Sequence, residues 1–172
     1  MYLDFILLIK DYFSTLKLRI FIYEWLSPFL IGVFIFYILY VGNKTGSTIV
    51  FKNNAINLLG ILAGFSITII TILTTGQSRN LEEIKKKETG IKIGNKKISL
   101  YRLLLVNFTY SVIIEALLII FCLIYPIILE NFSIPKLIKC IGFSLFALMT
   151  IHVLLLTIRN LTDFYFIITK KE

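Results

Sequence analysis

The segment AINLLGILAGFSITIITILTT, residues 55–75, carries no charged side chain over 21 consecutive residues. A helix needs about 20 predominantly apolar residues to cross the hydrocarbon core of a bilayer. Three other segments meet this requirement, at residues 25–42, 101–129 and 136–159. Because open sheet edges cannot satisfy their backbone groups in lipid, these segments are expected to be helices. The sequence therefore predicts an all-α membrane protein built as a four-transmembrane-helix bundle.

The composition of the whole chain agrees with a membrane protein. Of its 172 residues, 58% are hydrophobic and 16% are charged, whereas soluble domains average about a quarter charged residues. The length fits a single integral membrane domain, residues 1–172. Cys122 and Cys140 fall inside apolar runs, where packing is their expected role. With a single histidine, His152, and no cysteine pair at metal-ligand spacing, we expect no metal, no cofactor and no enzyme activity.

A polar interval between the second and third segments determines the predicted topology. It spans residues 76–99, reads GQSRNLEEIKKKETGIKIGNKKIS, and holds seven of the eighteen basic residues. If this basic loop and both termini share one side of the membrane, that side carries fourteen basic residues and the other carries four. The positive-inside rule then predicts that the loop and both termini are cytoplasmic. The abundance of Lys, Ile, Phe and Tyr is consistent with an AT-rich bacterial genome, so we expect the bacterial inner membrane.

The basic loop has predicted local structure of its own. Residues 78–88 can extend the second span as a helix, and Gly90 is the expected helix stop. Alternating residues then flank the pair Gly94-Asn95, which is typical of a two-residue hairpin turn. Ser99 is positioned to cap the third span.

The lysines of the loop, together with neighbouring arginines, form a candidate surface for binding an anion. Three targets fit such a positive field: anionic lipid head groups, a nucleotide or oligonucleotide, and a partner protein with an acidic face. The loop contains no recognised nucleic-acid-binding motif. The candidate residues are Arg79, Lys85, Lys86, Lys87, Lys92, Lys96, Lys97 and Arg102.

Residues 1–24, before the first span, predict an N-terminal amphipathic interfacial helix. At a helical period its apolar face contains Phe5, Ile9, Tyr12, Phe13, Leu16, Ile20 and Tyr23. Its polar face contains Asp4, Lys10, Asp11, Ser14, Thr15, Lys17 and Glu24. Such a helix can be a plain membrane anchor or a mobile gating element. Pro28 falls in the first turn of the predicted first span, where its missing N–H has no cost.

Glu115 is an ionisable residue near the middle of the third span. Asn107 and Ser111 share its helix face at i−8 and i−4, which predicts a polar stripe. His152 lies at a matching depth in the fourth span, so a Glu115–His152 contact is geometrically reasonable. An ionisable residue at this depth marks either an ion pathway or a polar pair that joins helices, and the sequence leaves both open.

The second span carries a continuous small and polar stripe. Its members recur at helical spacing: Asn57, Gly60, Gly64, Thr68, Thr71 and Thr75. Gly60 and Gly64 have the spacing that allows two helices to approach closely. The stripe therefore predicts a face that meets protein or lines a pore rather than a face that meets lipid.

Three stretches resemble the channel-forming effectors of Hailong anti-phage systems, which are small four-helix membrane proteins. They are LLGILAGFSITIITILTT at 58–75, the Lys-rich loop, and SLYRLLLVNFTYSVIIEALL at 99–118. The resemblance implies a homotetrameric ion channel that depolarises infected cells. It also implies that a short oligodeoxyadenylate, made by a partner nucleotidyltransferase, holds the channel shut by binding at the basic loop.

We therefore expect a gated homo-oligomeric ion channel whose cytoplasmic lysines sense an anionic ligand. The path would follow the stripe of the second span or the stripe that contains Glu115. Two alternatives stay open. One is a proton-coupled exporter of a small molecule that uses Glu115, and the other is a non-conducting membrane scaffold for a cytosolic partner.

Overall fold

Four long apolar helices dominate the structure, a computed structural model that describes residues 4–42, 46–94, 96–131 and 133–169. Each is long and apolar enough to cross a membrane. The four spans are Leu18–Gly42, Thr48–Thr75, Leu100–Ile128 and Lys136–Phe166. The prediction of an all-α membrane protein with four transmembrane helices is confirmed, and each span extends beyond its predicted segment at one end or both.

The helices and strands follow one another with short connections. In chain order they are α1 (Asp4–Thr15), α2 (Leu18–Phe21), a π turn (Ile22–Leu26), α3 (Ser27–Gly42), α4 (Gly46–Thr75), α5 (Arg79–Lys86), β1 (Glu88–Ile93), β2 (Lys96–Ser99), α6 (Leu100–Asn131) and α7 (Lys136–Thr169). Because α2, the π turn and α3 run on without a break, they form the first span together.

The long helices are arranged around α6 and α7. These two pack against each other, α4 packs along α6, and α3 packs along α7. At one end of the bundle, Lys136 Nζ at the start of α7 donates to the carbonyl of Tyr40, near the end of α3, at 2.7 Å. At the other end, the hairpin of β1 and β2 lies beside the start of α6. We call these the far end and the hairpin end.

The predicted N-terminal amphipathic helix has different bounds in the structure, where α1 spans Asp4–Thr15. α1 ends at Thr15, Lys17 is extended, and a new helix starts at Leu18 as the beginning of the first span. α1 packs against α6 and β1. Thr15 and Glu24, which the pattern assigned to the polar face, are both buried, because each has a hydrogen-bond partner inside the protein.

Pro28 lies inside a continuous helix rather than in its first turn, because the first span starts ten residues earlier than this proline. Proline has no N–H, so the carbonyl of Glu24, four residues before it, has no α-helical donor. The helix widens into the π turn just before this point. Such turns often lie at functional sites, and this one carries the buried Glu24.

The basic loop folds differently from its predicted helix extension. α4 ends at Thr75, and α5 starts anew at Arg79, where Ser78 Oγ accepts from the N–H of Leu81 at 3.4 Å. Gly76 makes the break possible, since a Cβ there would lie 2.5 Å from the carbonyl oxygen of Ile72. α5 ends at Lys86, so the predicted stop at Gly90 is wrong: that residue lies in β1.

The predicted hairpin is present. β1 and β2 pair antiparallel, with Lys92 opposite Lys97 and Ile93 opposite Lys96. Gly94 has φ +60°, a conformation that glycine adopts at no steric cost; Asn95 lies outside the described residues. Ser99 caps α6, because its Oγ accepts from the N–H of Arg102 at 3.3 Å.

A compact apolar cluster joins α4, α5, α6 and α7 at the hairpin end. Its buried members are Ile69, Leu73, Leu81, Ile84, Leu104 and Phe108. Burial of a leucine or isoleucine side chain contributes about 1.5–3 kcal/mol. The two from α5 therefore hold this short helix against the end of α4.

Candidate functional site

The most polar part of the interior lies towards the hairpin end, around the carboxylate of Glu24. This carboxylate is fully buried. Arg159 Nη1 lies 2.8 Å from Glu24 Oε1, and Tyr12 Oη donates to Glu24 Oε2 at 2.8 Å. The cluster thus joins α1, the π turn and α7. Burial, and next the charge of Glu24, raise the pKa of the Tyr12 hydroxyl far above its ordinary value, so this hydroxyl stays a donor.

His152 connects this cluster to α6. Its Nδ1 is 2.7 Å from the carbonyl oxygen of Glu24, the carbonyl that Pro28 leaves without an α-helical donor. Its Nε2 is 3.3 Å from Tyr110 Oη. The Tyr110 ring stacks on the Tyr12 ring with centroids 3.7 Å apart. Both ring nitrogens of His152 therefore have partners other than Glu115.

Glu115 lies deeper, near the middle of its span, and is also fully buried. Its Oε1 accepts from Ser111 Oγ at 2.7 Å and from Thr157 Oγ1 at 3.4 Å. The predicted Glu115–His152 contact is wrong, because Thr157, five residues further along α7, occupies that position. Glu115 Oε2 has no hydrogen-bond partner within the described part of the chain.

The stripe of Asn107, Ser111 and Glu115 faces the interior of the protomer. All three side chains are buried between α6 and its neighbours. Ser111 Oγ also lies 3.2 Å from Thr157 Oγ1 on α7, so the stripe joins these two helices. This geometry corresponds to the helix-joining alternative, and it leaves the stripe out of reach of a second copy of the chain.

The stripe of α4 has the opposite placement. Its six members, Asn57, Gly60, Gly64, Thr68, Thr71 and Thr75, are all exposed. At about 100° per residue they lie opposite the buried face of α4, which includes Leu59 and Leu73. Apart from the adjoining backbone of α4 itself, a Cβ at Gly60 or Gly64 would have no atom of the described residues within 4 Å. The predicted close helix packing at these glycines therefore does not occur within the protomer.

Hydroxyl groups on the α4 stripe are satisfied by the helix itself. Thr68 donates to the carbonyl of Gly64 at 2.8 Å, and Thr75 donates to the carbonyl of Thr71 at 2.7 Å. Thr71 makes the same kind of bond at 3.0 Å. Asn57 is different, because its amide has two N–H donors and one acceptor and its side chain is exposed within the span.

Half of the predicted anion-binding residues are paired with acidic side chains. The pairs are Arg79–Glu83 at 3.6 Å, Lys85–Glu82 at 3.1 Å, Lys97–Glu88 at 3.5 Å and Arg102–Asp11 at 3.7 Å. No carboxylate of the described residues pairs with the other four, Lys86, Lys87, Lys92 and Lys96, all of which are exposed. Lys92 lies directly opposite Lys97 in the hairpin. Like charges in that position repel, so an anion bound there would be stabilising.

Glu24, Arg159 and Tyr12 are missing from the sequence-based candidates. The hydropathy pattern put Glu24 before the first span and Arg159 at the very end of the fourth, where both would reach water. Pro28 four residues after Glu24 was the available signal of an unpaired carbonyl. Among the described residues, no group of histidine, cysteine and acidic side chains could hold a metal ion.

Comparisons with known proteins leave the family of this chain open. No protein-family model matches it, and neither curated proteins nor solved structures gave a match. The fold and the site define a four-span membrane protein with a buried polar cluster and an exposed polar helix face.

Proposed function

We propose that this protein is a gated homo-oligomeric ion channel of the bacterial inner membrane, with cytoplasmic termini. The observation that supports this proposal best is the exposed small and polar face of α4. In the protomer alone this face would meet lipid. In an oligomer, the α4 faces of several copies would surround a shared aqueous path.

The position of Asn57 gives this proposal its energetic basis. Asn57 lies nine residues after the start of a 28-residue span, which at about 1.5 Å per residue is about 7 Å from the middle. The hydrocarbon core extends about 15 Å from its centre, so a lipid-facing amide would lie inside it. An unpaired amide there costs on the order of several kcal/mol. Water in a pore, or a polar group of a second copy, removes that cost.

The other candidate path is less compatible with a pore between copies. Asn107, Ser111 and Glu115 are buried within one protomer, and Ser111 and Glu115 both contact Thr157. We therefore assign the path to α4 and a helix-joining role to Glu115. The number of copies is taken as four, the number that the resemblance to Hailong effectors implies.

The basic loop is the proposed sensor. α5 follows α4 after a three-residue break, and Leu81 and Ile84 of α5 pack in one cluster with Ile69 and Leu73 of α4. An anion that binds the exposed lysines would move α5, and this apolar contact would transmit the movement to α4. The resemblance implies an oligodeoxyadenylate as the anion and anti-phage defence as the setting.

Planar-bilayer recording of the purified protein tests this proposal. We expect discrete conductance steps that an added oligodeoxyadenylate suppresses. Asn57→Leu should lower the unit conductance, because it removes the largest polar side chain of the path. Glu115→Gln is the matched control, since it changes a buried group without changing the path and should leave the unit conductance unaltered. A purified oligomer that never conducts, with or without the oligonucleotide, would refute the channel.

A second candidate function is favoured by the geometry of Glu115. Its Oε2 has no partner among the described residues, and the group lies near mid-span. One carboxyl group at this depth can exchange protons for a cation. A proton-coupled exporter predicts pH-driven flux in proteoliposomes that is lost in Glu115→Gln, without single-channel steps.

A further inference from the structure

A cavity of about 420 Å³ lies between α4, α6 and α7 at the far end of the bundle. Its size falls within the range of about 300–1,000 Å³ that is usual for ligand sites. Thr48, Ile49 and Lys52 of α4 form one side. The channel proposal does not use this cavity, because none of the described residues that line it belongs to the α4 stripe.

The wall of the cavity is largely aromatic. Phe121 stacks on Tyr125 with ring centroids 5.2 Å apart, and on Phe146 with centroids 5.7 Å apart. Phe143 and Cys122 complete this surface. Lys52 is the one charged side chain among the described residues that line the cavity. No carboxylate of the described residues pairs with it.

The depth of these groups matches the profile of a bilayer. Lys52 is four residues from the end of its span and Phe146 is ten residues from the end of its own. At about 1.5 Å per residue they lie about 6 Å and about 15 Å from the far end of the bundle. The cavity therefore has a positive charge at the level of the head groups and phenylalanine side chains at the level of the acyl chains, while Tyr125, three residues from the end of its span, lies near the depth of Lys52.

We propose that this cavity binds an amphiphile with an acyl chain and an anionic head group, with Lys52 pairing with the head group and the aromatic wall holding the chain. A half-buried ammonium group without a counter-charge is unfavourable near the membrane. An anionic head group removes this cost, and a neutral or zwitterionic head group does not. The ligand is a phospholipid of the surrounding bilayer, and a free fatty acid has the same chemistry.

Native mass spectrometry tests the proposal on the full-length protein. The protein is reconstituted with equal amounts of phosphatidylglycerol and phosphatidylcholine, extracted into mild detergent, and its retained lipids are counted. We expect retention of phosphatidylglycerol over phosphatidylcholine. Lys52→Gln should lower the retained phosphatidylglycerol about fivefold, the loss expected from one basic group near an anionic head group. Lys139→Gln, which removes an exposed lysine at the same end but outside the cavity, should change nothing.

Two further variants keep the test decisive. Lys52→Arg keeps the charge and should keep the lipid. Ile49→Trp, at a position with 63% exposure, fills the cavity from its rim and should lower retention even if Lys52→Gln fails to fold. A parallel arm offers oleate in place of phosphatidylglycerol; retention that depends on Lys52 only in this arm assigns the ligand to free fatty acids. Equal retention of the two phospholipids without binding of oleate, or full retention in Ile49→Trp, overturns the proposal.

Discussion

Replacement of Glu24 by glutamine probes the buried ion pair that joins the first span to the last. The variant keeps the shape of the side chain, so it creates no cavity; it removes the charge and replaces one acceptor oxygen with an NH2 group. The guanidinium of Arg159, whose side chain is 16% exposed, then loses its counter-charge. The carbonyl of Glu24, which accepts from His152, is unchanged by the substitution.

The magnitude follows from the burial of the pair. Removal of one partner from a buried ion pair costs about 3–5 kcal/mol. We expect about 3 kcal/mol, because the glutamine oxygen can still accept from Arg159 while its NH2 group donates to Tyr12 Oη. For a chain of 172 residues, this corresponds to a fall in unfolding temperature of roughly 10 °C.

Thermal unfolding in detergent, followed by circular dichroism, measures this effect. Glu82→Gln is the matched control, because it breaks the exposed Glu82–Lys85 pair, and such pairs contribute about 0–1 kcal/mol. The double variant Glu24→Gln/Arg159→Met should be more stable than the sum of the single effects predicts, because no unpaired charge remains buried. Equal destabilisation by Glu24→Gln and Glu82→Gln would refute the assignment of a buried pair.

Three further variants test separate contacts. Tyr12→Phe should lower stability by about 1–3 kcal/mol, since it removes a hydrogen bond to a buried charge; equal stability of variant and parent in urea would contradict this. Because the pKa of Tyr12 is raised in the folded protein, its contribution to the free energy of unfolding is complete below pH 10 and declines above it. A thermal-shift series should therefore find the unfolding temperatures of the variant and the parent converging at higher pH. Gly32→Leu should weaken the α3–α7 contact, because a Cβ there would lie 3.1 Å from Leu148 Cβ. Gly42→Leu should be tolerated in the same melt, because no atom of the described residues lies within 4 Å of a Cβ added at Gly42. Gly76→Ala should destabilise by about 1–3 kcal/mol through a clash with the Ile72 carbonyl; an unchanged midpoint would show that the break before α5 does not need glycine.

The spans and the hairpin could be predicted because their causes are local. Hydropathy over about 20 residues identifies a membrane helix wherever its neighbours lie. Gly94 between alternating residues specifies the hairpin turn, and Ser99 satisfies the first N–H groups of α6. None of these features depends on a distant part of the chain.

The polar cluster could not be predicted because its partners are far apart in sequence. Glu24 reads as a polar residue before an apolar run, and only Arg159, 135 positions later, makes its burial favourable. His152 was assigned to the wrong partner because a matched depth on two helices does not specify the face of each. Depth follows from residue counts, while the face depends on how α6 and α7 rotate against each other.

The direction in which the α4 stripe faces could be predicted only in part. Periodicity correctly grouped Asn57 with the glycines and threonines on one face. It could not decide whether that face meets a helix of the same chain or another molecule. The structure excludes a helix of the same chain, since no helix among the described residues covers Gly60 or Gly64.

Thiol modification of Thr71→Cys during planar-bilayer recording tests the central claim, that the exposed α4 faces line a shared aqueous path. The account predicts that a charged, water-soluble methanethiosulfonate reagent blocks the conductance of this variant. Val33→Cys, on the exposed side of α3, should be unaffected. Native Cys140 is buried and Cys122 lies in the far-end cavity outside the proposed path, so the parent protein should keep its conductance. A Thr71→Cys channel that conducts normally after exposure to the reagent would contradict the account.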